Sequence, residues 1–211
     1  MDYSKQYKQL HNEKSKQYGN GHRGNSTNKD YESMIEWLKK SSSKNILDYG
    51  CGKGRLVERL KKDSYNCWGF DLGVPDSQFF AEIKNYVSNK NKWFDKNIDT
   101  IICYDVMEHI LEDDIDKILS DFIKYDANNI YFLISTVLAK TILPNGMNAH
   151  VTVKDTDWWV EILKNKFPDY DINHYSELRD EKRKFGAEAP VEHQYPEGTT
   201  ADTLIIKLNR I

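Results

Sequence analysis

The sequence predicts an α/β fold, a doubly wound parallel sheet with helices on both faces, and two observations carry that expectation. Apolar runs of strand length alternate with segments whose apolar residues recur at helical spacing, so strand and helix follow one another along the chain. The 211 residues, 39% hydrophobic and 30% charged, suffice for one sizeable core and contain neither an internal repeat nor a linker. One domain over residues 31–211 is expected, preceded by a polar, tyrosine-bearing arm or lid at residues 1–30.

Each element has its own signal. Ser26 or Asn28 can N-cap a first helix that runs through Tyr31, Met34, Ile35 and Leu38 and ends at Ser41–Ser43. Asn45–Tyr49 reads as a strand, Arg55–Lys61 as a helix with Leu56, Val57 and Leu60 on one face, and Asn66–Phe70 as the second strand. Residues 74–97 follow no clear period, and Glu82–Val87 is the candidate third strand. Ile98–Tyr104 is a strand, Asp113–Lys124 a helix bearing Ile115, Ile118, Leu119 and Phe122, and Asn129–Ser135 another strand. After the turn at Pro144–Gly146 come a helix over Asp155–Asn165 and strands near Tyr170–Tyr175 and Thr203–Leu208. Trp158 and Trp159 read as the buried side of that helix rather than as a stacking platform. Neither His22 nor His174 takes a role.

Charge and cysteine usage narrow the function classes. Thirty Lys and Arg against 33 Asp and Glu leave a net charge of -3, so no global positive field recommends a nucleic-acid backbone as partner. Cys51, Cys67 and Cys103 lack CxxC spacing and fall in or beside apolar runs, which suits reduced, buried thiols in a cytosol rather than zinc ligands. The N-terminal thirty residues have no apolar core and no later segment reaches transmembrane length, so a cytoplasmic protein without a membrane partner is expected.

Residues 44–55, KNILDYGCGKGR, place glycines 50, 52 and 54 where the first strand turns into a helix, the position at which backbone approaches a ligand in such sheets. The second strand ends at Asp71, about twenty residues on, where a carboxylate can accept from the two hydroxyls of a ribose. An adenosine-bearing ligand is therefore indicated. A pyrophosphate would be repelled by Asp48, and the dinucleotide fingerprint would want a small residue where Arg55 stands. S-adenosylmethionine, with its ammonium and sulfonium, is instead favoured by an acidic residue beside the turn.

LDYGCGKG, Asp71 and the later IDTIICYDVMEHI resemble the first, second and fourth motifs of class I S-adenosylmethionine-dependent methyltransferases, over roughly residues 44–136. The resemblance implies a Rossmann-like, seven-stranded sheet whose last strand is antiparallel, and a donor site built from Asp48, Tyr49, Gly50, Cys51, Gly52, Gly54, Asp71, Leu72 and Asp105. The sequence departs from the family pattern at residues 74–97, where the resemblance implies a third strand and an adenine-contacting acid but no residue matches them plainly.

The acceptor side turns on YDVMEHI and NAHVTVKDTDWW. If the chain enters a helix after Tyr104, then Asp105, Glu108 and His109 stand at i, i+3 and i+4 on one side, and His150, after the next strand, lies over the same crevice. Two carboxylates and two imidazoles suit Mn²⁺ or Fe²⁺, less Mg²⁺ or Zn²⁺. The set resembles the ExxEH…H metal site of the small-RNA terminal 2′-O-methyltransferases and the ExxEH of ubiquinone-pathway O-methyltransferases, with Asp105 in place of the first Glu. That implies catalytic roles for Glu108, His109 and His150. Two other readings stay open: a metal-free general base at His109 or His150, and an EHI segment that is only a helix start.

The stretch TVLAKTILPNGMNAHVTVKDTDWW also resembles a group of bacterial and phage class I methyltransferases of cell-surface polysaccharide pathways. A small-molecule acceptor such as a sugar or nucleotide-linked sugar is thus expected. RNA is the alternative, for which Lys39, Lys40, Lys61 and Lys62 offer local contacts, and a non-catalytic donor-binding protein is a third reading. The polar run Arg179–Gly198, with Arg183, Lys184, His193 and Tyr195, is a candidate acceptor loop.

Overall fold

The structure, a computed structural model, describes residues 28–72, 86–87, 95–139, 141–177 and 201–211. In chain order these form α1 (Asn28–Lys40), β1 (Asn45–Tyr49), α2 (Arg55–Lys62), β2 (Asn66–Phe70), β3 (Tyr86–Val87) and β4 (Thr100–Tyr104). A single 3-10 turn at Met107–His109 precedes α3 (Glu112–Tyr125), β5 (Asn129–Ser135), α4 (Thr156–Lys166), β6 (Tyr170–Glu177) and β7 (Thr203–Arg210). The seven described strands make one sheet in the order β3-β2-β1-β4-β5-β7-β6. Pairings from β3 through β5 are parallel, while β7 runs antiparallel to both β5 and β6, as the resemblance implied.

The sheet separates two cores, and the two-residue period of each strand feeds both. In β5, Ile130, Phe132 and Ile134 join Leu119 and Phe122 of α3 and Trp159 and Leu163 of α4 on one face, whereas Tyr131 and Leu133 join Met34, Trp37 and Leu38 of α1 and Leu60 of α2 on the other. Trp159 is fully buried, as its helix position predicts. All three cysteines are buried free thiols, and burial raises each thiol well above its ordinary value.

Some bounds move for identifiable reasons. β4 begins at Thr100 rather than Ile98 because the Asp99 carboxylate accepts the backbone N–H groups of Lys44 (3.1 Å to Oδ2) and Asn45 (2.9 Å), tying down the start of β1. β7 continues to Arg210 because β6 offers partners as far as Tyr170. α4 starts one residue late since Asp155 serves as its cap, its carboxylate accepting from the Trp158 N–H at 2.8 Å. Of the candidate third strand only Tyr86–Val87 is described, and it pairs with Gly69–Phe70. The N-terminal arm, Ser26 and the 179–198 run lie outside the described residues.

The strand order reverses between β1 and β4. Crevices in open parallel sheets form at such a reversal, beyond the carboxyl ends of the strands. The loops that leave β1, β2, β4 and β5 at this edge carry the candidate residues.

Candidate active site

The turn after β1 is stapled to the end of β2. Backbone N–H groups of Gly50 and Cys51 both donate to the Phe70 carbonyl (2.7 and 3.0 Å), and the Gly52 N–H donates to Asp71 Oδ2 at 2.8 Å. Gly50, Gly52 and Gly54 all have positive φ (82°, 52° and 80°), which an L side chain adopts at a cost. Their surroundings differ. A Cβ on Gly50 would stand 2.3 Å from Val106 Cγ2, so this glycine exists to let the β4 loop close against the β1 loop. A Cβ on Gly52 would meet nothing within 4 Å, leaving its backbone open at the crevice.

Asp48 lies at the end of β1, 2% exposed, and its Oδ2 has no hydrogen-bond partner among the described residues. Burial, followed by the negative charge of Asp71, pushes its carboxyl from an ordinary value of 3.8 up to about 8. A buried acid facing a second carboxylate, beside open glycine backbone, fits a cationic ligand. The neighbouring candidates contribute differently. The Tyr49 ring is core, packed 4.8 Å from both Phe70 and Phe122, and the Cys51 side chain is buried in the space that Gly69 leaves without a Cβ. Leu72 is 51% exposed beside Asp71.

After β4 the chain does not enter the expected helix. Asp105 takes a left-handed φ of 54° while its N–H donates to the Leu133 carbonyl, and only the short 3-10 turn follows. Helical spacing between Asp105 and Glu108 is thereby lost. Glu108 is fully buried, its Oε1 accepting the Ser135 N–H at 3.2 Å and its carbonyl accepting the Thr152 N–H at 3.1 Å. Potential ligand atoms of Glu108, His109 and His150 lie within 4.8 Å of one another; the Asp105 carboxylate is not in this group. The structure therefore brings together three of the four expected groups.

Both imidazoles are held by backbone. His109 Nδ1 lies 2.8 Å from the Ala149 carbonyl oxygen, and His150 Nδ1 lies 2.6 Å from that of Val137. A carbonyl can only accept, so each Nδ1 carries the proton and the neutral ring has its lone pair on Nε2. The rings stand edge to face, centroids 4.8 Å apart. That is the tautomer and arrangement of histidines that could hold a divalent ion, with their outer nitrogens anchored as metal-binding imidazoles require. Ser135, Thr152, Val106 and Asn148 are supporting residues that sequence reasoning did not single out. For Asn148 a signal exists in the sequence, since Asn two residues before His150 is the pattern of an Asx turn.

Residues 27–188 match the family model of a methyltransferase domain, and the chain belongs to that family. The sheet order and the motifs at its carboxyl edge make it a class I S-adenosylmethionine-dependent methyltransferase. No curated protein matches it. Among solved structures, the plantazolicin methyltransferase BpumL, in complex with a pentazolic desmethylPZN analog and SAH, superposes with a TM-score of 0.64 at 14% identity, over 99% of this chain and 97% of its own. The methyltransferase domain of bacterial CtHen1 gives 0.55 at 16% identity, over 84% and 96% respectively. The 1,6-didemethyltoxoflavin-N1-methyltransferase of Burkholderia thailandensis, with bound 1,6-didemethyltoxoflavin and S-adenosylhomocysteine, gives 0.59 at 14% identity, over 95% and 87%. At such identities the likeness is one of fold.

Proposed function

We propose that this chain transfers the methyl group of S-adenosylmethionine to a hydroxyl oxygen of a small polar acceptor, such as a sugar or nucleotide-linked sugar, with a divalent cation held by Glu108, His109 and His150. The observation that carries the reading is the pair of Nδ1-anchored histidines converging with a buried glutamate. When bound, such an ion supplies Lewis-acid chemistry that makes an alcohol a competent nucleophile at neutral pH. The chain's own residues orient the reaction. On the donor side, the open backbone at Gly52 receives the amino-acid end, Asp48 supplies the countercharge, and Asp71 accepts from the ribose diol. On the acceptor side, the histidine pair sits one loop away across the β1–β4 crevice, which suits in-line displacement at the sulfonium methyl.

Two observations support a small acceptor over RNA. Lys39, Lys40, Lys61 and Lys62 lie at the carboxyl ends of α1 and α2, which feed the opposite edge of the sheet from the site loops. Two of them are already in ion pairs on their own helices, Lys40 with Glu36 (2.7 Å) and Lys62 with Glu58 (2.8 Å). On the loop that carries His150, Leu138, Ile142 and Met147 expose apolar surface, offering contact area without phosphate-binding charge.

The test is mass spectrometry of methyl transfer to a panel of sugars, nucleotide sugars and 3′-terminal RNA, with and without chelator. Transfer to a sugar hydroxyl that chelator abolishes and Mn²⁺ restores is the expected result, with donor binding nearly intact throughout. Full activity in chelator together with an active His150→Ala variant would eliminate the cation, and methylation of RNA alone would overturn the acceptor class.

A further inference from the structure

We infer that Asn148 is a positioning residue that sets the geometry of the histidine pair, an inference that rests on the acceptor-site reading above. The described residues of 136–150 leave β5 and reach His150 without a strand or helix of their own, a length of chain that needs internal fastening to hold a site. Part of that fastening is ordinary turn chemistry: Leu143 N–H donates to the Met147 carbonyl at 2.8 Å, Gly146 N–H to the Leu143 carbonyl at 2.9 Å, and Ala149 N–H to the Thr141 carbonyl at 2.9 Å. The first two organise the tip, and the third joins the two arms next to Asn148. At the base of the loop, beside the His150–Val137 contact, the Asn148 side chain makes three further bonds.

The Asn148 amide uses both ends. Its Oδ1 accepts the Ala139 N–H at 3.0 Å and the His150 N–H at 2.9 Å, and its Nδ2 donates to the Ala139 carbonyl at 2.8 Å. Ala139 stands two residues after Val137, whose carbonyl holds His150 Nδ1, and Asn148 stands one residue before Ala149, whose carbonyl holds His109 Nδ1. The amide therefore clamps together the two backbone segments whose carbonyls hold both imidazoles. Remove it, and the two segments lose the amide's bonds to Ala139, keeping the Ala149–Thr141 backbone bond and the His150–Val137 contact, while the tip turns remain. Displacements well under an ångström are enough to spoil a ligand set or a nucleophile's alignment.

Three variants separate positioning from general loop stiffness. Asn148→Ala removes all three bonds, Asn148→Ser keeps an acceptor for the His150 N–H but cannot span to Ala139, and Asn145→Ala deletes a tip bond (Asn145 Oδ1 to Met147 N–H, 3.1 Å) away from the clamp. Calorimetric titration with Mn²⁺ alone should give at least about tenfold weaker binding in Asn148→Ala, an intermediate loss in Asn148→Ser and none in Asn145→Ala, with S-adenosylmethionine affinity unchanged in all three. In the metal-free protein, nitrogen NMR should show His150 as the single Nδ1–H tautomer in wild type and as a mixture in Asn148→Ala. Unchanged Mn²⁺ affinity with an unchanged tautomer signal in Asn148→Ala would overturn the inference, as would an equal loss in Asn145→Ala. If wild type binds no Mn²⁺, the cation reading fails, and the tautomer signal alone decides: its loss in Asn148→Ala upholds positioning and its retention overturns it.

Discussion

Asp48 is a carboxyl kept from ionising by its surroundings, and donor binding should release its proton. With its carboxyl pushed up to about 8 by burial and by Asp71, the unliganded protein holds that proton at neutral pH. The unfolded chain does not, since an exposed Asp ionises near 3.9. The native state thus binds the additional proton between about pH 4 and about pH 8, and Asp48's contribution to stability, complete below that window, is lost as pH rises through it. Asp48→Asn should flatten the fall in thermal midpoint over this range. A cation placed beside Asp48 reverses the balance, so calorimetry of S-adenosylmethionine binding in buffers of different ionisation enthalpy at pH 7 should find close to one proton released, and close to none for Asp48→Asn. Proton uptake, or no change in either protein, would remove Asp48 from the donor site. Asp71 accepts the Gly52 N–H, and with the proposed role of holding the ribose diol, Asp71→Ala should cost about 1.5–3 kcal/mol of donor affinity with little loss of stability. Unaltered affinity would contradict the assignment.

Within the β1 turn, neighbouring glycines should fail in different ways. Gly50→Ala forces a Cβ into Val106 and adds left-handed strain, so the expected destabilisation by urea unfolding is about 2–4 kcal/mol. Gly52→Ala has strain but no clash; it should lose about 1–2 kcal/mol of stability and most of its donor binding. Equal stability loss in both, with donor affinity retained in Gly52→Ala, would make the turn a connection and nothing more. The turn was readable in the sequence because three alternating glycines directly after the short strand Asn45–Tyr49, with Asp48 near its end, have few uses, and β1 and β2 fall on the residues their apolar runs mark. The connection after β4 was not. A helix there would have kept Asp105, Glu108 and His109 on one side, but Asp105 adopts the left-handed conformation, which Asp tolerates without announcing it, and the chain makes one 3-10 turn instead. Glu108 and His109 still reach the site because tertiary bonds to Ser135, Thr152 and Ala149, distant in sequence, hold them there. Such bonds leave no periodic trace. The apolar period placed Trp159 inside α4 correctly, whereas Trp37, equally part of the α1 face, escaped the expected set because the apolar residues beside it were sufficient to define the helix.

Across the whole molecule, the sheet ties the glycine turn and the histidine-bearing loops to one cooperative unit. Strands β1, β4, β5 and β7 each give alternate residues to the two cores, as with Leu47 and Tyr49 against Ile46 in β1, Ile101 and Cys103 against Ile102 in β4, and Leu204, Ile206 and Leu208 against Ile205 in β7. Melting the α1–α2 layer would expose Ile46, Ile102, Tyr131, Leu133 and Ile205 on a sheet whose other face stayed covered, a state with neither the buried area of the native fold nor the entropy of the unfolded chain. The two layers should therefore unfold together. Leu38→Ala on the α1 side should cost about 2–5 kcal/mol and Trp159→Ala on the α4 side about 3–5 kcal/mol. Each should shift a single transition, with coincident fluorescence and circular-dichroism curves and an unchanged denaturant dependence. The donor turn rests on α2, β1 and β2 and the histidine pair on the loops after β4 and β5, so both sites should be lost at the same denaturant concentration, read as S-adenosylmethionine binding and as the His150 tautomer signal. A Leu38→Ala protein that loses donor binding in a first transition while the β5–β7–β6 side keeps its signal until a second would divide the molecule into two independently stable halves and defeat this account.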